Sequence, residues 1–181
     1  SNVWFDRGVA STGLTLRLAG SNGIGMDIIH PQASTGDGSL SMVAINTDVQ
    51  EGARAFSWKG NAVVELRANA PLDLRRESNG DIFMVATLRV DALPADGKAV
   101  FVVECGKGCS VQLPIGDALA RLPQGQWTRL GVHLGCLRTA GADTAPLDVP
   151  FALRTGAGAK IALARVATGT EFEHKVDCTV R

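Results

Sequence analysis

Asp81-Ile82-Phe83-Met84-Val85-Ala86-Thr87-Leu88-Arg89-Val90 is the stretch on which the fold turns. Ile82, Met84, Ala86, Leu88 and Val90 share one phase, while the other runs from Phe83 and Val85 to Thr87 and Arg89. A period of two held over this length is a β-strand with one buried face. The same alternation recurs on both sides of it. Upstream, Leu14, Leu16 and Leu18 share a face, as do Phe56 with Trp58 and Ala62 with Val64 and Leu66. Downstream, Ala99, Phe101, Val103 and Cys105 form an inward set, Leu130, Val132, Leu134 and Cys136 another, and Lys160 to Ala167 reads as a last strand. Turn chemistry separates the runs, in Gly20-Ser21-Asn22-Gly23, Ser78-Asn79-Gly80-Asp81, Pro94-Ala95-Asp96-Gly97 and Pro123-Gln124-Gly125. Many short strands punctuated in this way predict an all-β sandwich or jelly roll. One segment departs from period two. Ile115, Ala118, Leu119 and Leu122 lie at helical spacing and predict one short helix before the strand that holds Trp127.

The 181 residues fit one domain with a sizeable core. Ser1-Asn2 reads as the scar of a removed tag, and 3–181 as a single accessory domain cut from a longer protein, with any export signal upstream. Eighteen basic residues balance eighteen acidic ones. Nucleic acid and anionic membranes need a clustered cationic excess, so neither is expected as a partner. No apolar run approaches the roughly 18 residues that span a bilayer.

Cys105, Cys109, Cys136 and Cys178 allow three disulfide pairings. The favoured one is Cys105–Cys109 with Cys136–Cys178. The first pair flanks Gly106-Lys107-Gly108, a hairpin-like tip, and the second ties a late strand to the tail. Loop closure gives about 2 and about 4 kcal/mol for the two as upper-end values. The rival is a four-cysteine zinc site, which wants two close pairs where the sequence has one. Oxidised cysteines imply a periplasmic or secreted protein.

Catalytic machinery is not visible. Glu65 and Glu104 fall on polar strand phases, and His30, His133 and His174 lack metal-ligand spacing; His133 is expected to point away from the core. Thr155-Gly156-Ala157-Gly158-Ala159-Lys160 lacks the glycine-lysine-hydroxyl ending of a phosphate loop and precedes a strand. Loop carboxylates often hold a stabilising calcium in sandwiches of this kind, but here they are too scattered to nominate ligands. No other metal or cofactor is expected. Sugar rings stack on exposed Trp or Tyr faces. With no Tyr, that leaves Trp4, Trp58 and Trp127. Trp58 shares a phase with Phe56, which favours the core, and Trp127, on the phase opposite Leu130 and Val132, either caps the helix–strand junction or stands exposed, with packing favoured.

The passage Asp117-Ala118-Leu119 … Gly125-Gln126-Trp127-Thr128-Arg129-Leu130 … Leu134 is similar to a signature of galactose-binding-like sandwiches. Around it stand Ala70-Pro71-Leu72-Asp73-Leu74-Arg75-Arg76-Glu77-Ser78-Asn79-Gly80-Asp81, Cys105 to Cys109, Leu134-Gly135-Cys136, Ala140-Gly141-Ala142-Asp143 and Pro150-Phe151-Ala152-Leu153-Arg154-Thr155-Gly156. Together, from about Phe56 to Cys178, they resemble the C-terminal domain of bacterial family 3 glycoside hydrolases of the exo-1,3/1,4-β-glucosidase type. The resemblance implies an exported parent enzyme that releases glucose from β-glucan ends. Its nucleophile Asp and acid Glu reside in upstream domains, so no catalytic residue carries over. It also implies an accessory sandwich that packs on the catalytic core and helps shape the substrate cleft. Val100 and Val102, on the second face of their strand, are the candidate docking patch. The alternative is an autonomous module that binds β-glucan through Trp58 or Trp127, with Asp73 and Arg75 nearby.

Overall fold

The computed structural model of the protein describes residues 2–46, 52–141 and 144–177. Along the chain run β1 (Val3–Asp6), β2 (Val9–Ala10), β3 (Leu14–Ala19), β4 (Gly25–Asp27), β5 (Gln32–Ser34), β6 (Leu40–Ile45), β7 (Ala53–Trp58) and β8 (Ala62–Ala68). Helix α1 (Arg75–Asn79) precedes β9 (Phe83–Ala92), β10 (Ala99–Glu104) and β11 (Ser110–Pro114). Then come α2 (Gly116–Arg121), β12 (Trp127–His133), α3 (Leu134–Thr139), β13 (Val149–Thr155), β14 (Lys160–Gly169) and β15 (His174–Lys175). Two sheets make the sandwich. The larger is ordered β15-β12-β9-β14-β7-β6-β5, with β1 on β14 and β2 on β1; the smaller is β11-β10-β13-β8-β3-β4.

Strand β9 sits between β12 and β14, and its inward residues Met84, Ala86, Leu88 and Val90 are at most 4% exposed. Opposite them the small sheet supplies Leu18, Val64, Leu66, Phe101 and Phe151, with Phe101 and Phe151 in a tilted ring contact at 5.8 Å. The expected short helix is α2, whose Ala118 and Leu119 are buried between Ile115 and Leu122.

Two helices join the one read from the sequence. The inward set expected to continue through Leu134 and Cys136 instead leaves the strand at His133 and turns into α3. His133 Nδ1 accepts a hydrogen bond from the Gly135 backbone N–H at 3.0 Å, capping that helix. Leu134, Cys136 and Leu137 all stay buried, so apolar spacing alone did not separate the two conformations. Helix α1 starts where Asp73 Oδ1 accepts from the Arg75 backbone N–H at 3.0 Å.

Cys105 and Cys109 form a disulfide that closes the β10–β11 hairpin, with Cα atoms 5.0 Å apart. Gly106 and Gly108 occupy positive φ at its tip, where a side chain would be strained. Cys136 is also a disulfide cysteine; Cys178, its expected partner, lies outside the described residues, as does Ser1. Asn2 is tied down, its backbone N–H donating to Thr168 Oγ1 at 2.7 Å. No helix among the described residues is long and apolar enough to cross a membrane.

Candidate functional site

Residues directly opposite in an antiparallel sheet project from the same face, so register places side chains in rows. Strand β9 pairs with β12 on one side and β14 on the other, giving three-residue rows on the outer face of the large sheet. They are Trp127–Arg89–Ala162, Arg129–Thr87–Arg165, Gly131–Val85–Ala167 and His133–Phe83–Gly169. The register shifts between Leu163 and Arg165, and this irregularity brings Arg165 opposite Thr87.

Trp127 is half-buried, outside the core, with the Arg89 guanidinium carbon 5.2 Å from its ring centroid. Arg89 is oriented by Asp91, at 2.8 Å from Nε to Oδ1. Trp127 Nε1 is buried with no hydrogen-bond partner among the described residues. In the next row Arg129 grips Glu173 through Nε at 2.9 Å and Nη2 at 2.5 Å. Those hydrogen bonds raise the Arg129 pKa and hold the Glu173 carboxyl below its ordinary range. Across Thr87, Arg165 stands 3.8 Å from its nearest carboxylate, Asp6. At the far end His133 Nε2 lies 3.0 Å from Asp81 Oδ1. Because Nδ1 accepts from Gly135, Nε2 is the donor.

Part of this face, from the rows of Arg129 and Arg165 and of Val85 and Ala167, floors a cleft of about 690 Å³, which does not include Trp127. Val85 and Ala167 form its base, Arg129 and Arg165 its sides, and Arg76 and Glu77 of α1 one end. The chain after β14 supplies Thr170 and Glu171, then crosses the sheet. There Phe172 stacks on Phe83 at 4.4 Å and fills the space a side chain at Gly131 would occupy.

The residues singled out in the sequence do not converge. Trp58 is 3% exposed and its Nε1 donates to the Ala62 carbonyl at 3.0 Å, so it offers no face to a ligand. Period-two packing beside Phe56 puts it in the core. Asp73 and Arg75 are exposed and pair with each other at 2.7 Å. The Arg75 hydrogen bonds lower the Asp73 pKa. Asp73 lines a second cleft of about 460 Å³ with Trp4, Asn69 and Pro71, whose walls include neither Trp58 nor Trp127. Trp127 alone of the four stands on the arginine-rich face. Among the described residues no group of three or more His, Cys, Asp or Glu side chains is placed to hold a metal ion. Arg129 and Arg165 escaped the sequence reading because their alignment depends on the pairing of three strands distant in the chain. The polar phase of Thr87 and Arg89 was the only signal of it.

The outer face of the small sheet differs. Val63, Val100, Val102, Val149 and Ala152 form an apolar cluster separate from the core, and Val63 and Val100 remain partly exposed. Charges border it: Arg67 bridges Glu65 at 2.9 Å and Glu104 at 3.2 Å.

A family model described as galactose-binding domain-like matches residues 15–168. The fold is similar to the extra C-terminal domain of an exo-1,3/1,4-β-glucanase from a Pseudoalteromonas species, at 20% identity and a TM-score of 0.80, covering 99% of this chain and 100% of that one. Against the exo-1,3/1,4-β-glucanase itself the figures are 22% identity and 0.79, covering 98% of this chain and 22% of that one. A family 30 carbohydrate-binding module from a cellulosomal cellulase of Clostridium thermocellum is also similar, at 9% identity and 0.61, covering 93% of this chain and 96% of that one. At these identities the likeness is one of fold. No curated protein matches the sequence.

Proposed function

The chain belongs to the galactose-binding domain-like family, and from that premise we infer that it is a non-catalytic accessory domain of a family 3 glycoside hydrolase acting on β-glucan. In this reading it packs on the catalytic domains of the same polypeptide and helps shape their substrate cleft. The observation that carries the reading is the valine cluster on the small sheet, apolar and outside the core on a strand face that otherwise bears paired charges. Val102, Val149 and Ala152 are buried, and the partly exposed Val63 and Val100, rimmed by polar residues, are what a protein partner would meet. The similar domain in the exoglucanase also belongs to a much longer chain. The role requires no cofactor, and the Cys105–Cys109 disulfide accords with a periplasmic or secreted location.

The test is association of this domain with the catalytic domains of its parent polypeptide, supplied as a separate chain. Val63→Asp with Val100→Asp should leave the thermal midpoint nearly unchanged, since both side chains are partly exposed. It should weaken association about tenfold or more, because docking would bury two carboxylates. Unchanged association would remove the patch from the interface.

One observation favours a second reading, an autonomous β-glucan-binding module: Trp127 stands outside the core on the large sheet's outer face. Calorimetric titration with laminari- and cello-oligosaccharides tests it. Saturable heat abolished by Trp127→Ala supports the module, and no heat with either series removes it.

A further inference from the structure

The cleft on the large sheet lacks an aromatic wall. Its base is aliphatic, and its sides are arginine, carboxylate, amide and hydroxyl groups. Its volume of about 690 Å³ is that of a small-molecule site, typically about 300–1,000 Å³. A neutral glucan would find no ring to stack on inside it. The charges are specific. Three guanidinium groups, Arg76, Arg129 and Arg165, face two carboxylates, Glu77 and Glu171.

Arg129 is committed to Glu173, with Glu171 3.8 Å away, but the other two cations are not comparably neutralised among the described residues. Arg165 reaches only Asp6, at 3.8 Å, and Arg76 makes no ion pair among the described residues. Guanidinium groups select carboxylates by paired N–H donation. The acceptors are informative too. Glu77 Oε2 is buried without a hydrogen-bond partner among the described residues, and Glu171 is 87% exposed. Both need donors. A bare anion would use the arginines and be repelled by these carboxylates. A ligand that carries hydroxyl donors beside a carboxylate satisfies both sets.

We propose that this cleft binds an acidic oligosaccharide built of uronic acid units, its carboxylate held by Arg76 and Arg165 and its hydroxyls donating to Glu77 and Glu171. The proposal rests on reading the large-sheet face as a glycan surface. It goes beyond that reading by making the ligand charged.

The test is titration of the 181-residue chain with tetragalacturonate, laminaritetraose and acetate at low and moderate salt. The expected result is saturable binding of tetragalacturonate that weakens with salt. It should also fall about tenfold or more in Arg76→Gln with Arg165→Gln, about the loss of one decade or more in affinity. Both side chains are exposed, so the double variant should keep its thermal midpoint. Glu77→Ala should weaken the same binding, and Trp127→Ala should leave it largely intact. Acetate binding as tightly as the tetrasaccharide would overturn the saccharide class. Laminaritetraose bound through Trp127 with tetragalacturonate ignored would overturn the proposal while leaving the glycan surface. No binding of either tetrasaccharide would overturn both.

Discussion

Asp37 is exposed, yet its carboxylate accepts from Ser39 Oγ at 2.7 Å, the Ser39 backbone N–H at 3.1 Å, Thr35 Oγ1 at 2.9 Å and the Asn22 backbone N–H at 3.2 Å. These hydrogen bonds, that of the Ser39 hydroxyl foremost, hold its pKa far below the ordinary 3.8. A depressed carboxylate pKa contributes stability above the unfolded value that is lost as pH falls toward the folded one. Asp37→Asn should therefore lower the thermal midpoint at pH 7. The gap from wild type should close only as pH drops below 3.8, which melting curves across pH would register. A gap unchanged down to strongly acid pH would show that the charge of Asp37 is not what ties the loop. Gly20 belongs to the same arrangement, since a Cβ there would meet Asp37 Oδ1 at 2.5 Å. At this scale the sequence was partly readable. Phase placed Trp58 inside and His133 away from the core; for Trp127 the sequence favoured packing at the helix–strand junction, and it stands half-buried outside the core. The Asp73–Arg75 pair was read as adjacent to a ligand platform, but its charges serve each other at the start of α1.

Among the elements, the segment after β14 depends on a missing side chain beneath it. Phe172 lies against Gly131 so closely that a Cβ would stand 2.8 Å from its ring. Gly131→Ala should displace residues 170–173 and cost about 1–3 kcal/mol, the usual range for overpacking, as read by urea denaturation. The same change should loosen the Arg129–Glu173 bridge that the segment carries. The β10–β11 hairpin offers a milder case. Replacing Cys105 and Cys109 with serine should remove about 2 kcal/mol at most, because the closed loop is short. Strands and turns were legible here because alternation and Gly or Pro punctuation are local signals. The strand-to-helix switch at His133 was not, since Leu134 and Cys136 are buried in either conformation and the deciding contact is a cap. The row of Arg129, Thr87 and Arg165 was hidden for a different reason: it exists only once β12, β9 and β14 pair, with an irregularity in β14.

Across the whole molecule the two outer faces divide the surface by character, with valines framed by ion pairs on the small sheet and an arginine-lined cleft on the large one. Docking by the first would leave the second open to solvent. The distribution of indoles across this plan makes the molecule its own optical probe. The chain has three tryptophans and no tyrosine, and Trp4 and Trp58 are each 3% exposed. Their emission should be blue-shifted and shielded from ionic quenchers. Trp127, half-buried on the outer face, should emit further to the red and be the indole that iodide reaches. Trp127→Phe should therefore abolish most of the iodide-quenchable fluorescence while sparing the remainder, and equal quenching in wild type and variant would refute this assignment. An occupant that covers Trp127 would then announce itself in the colour of one residue, without a label.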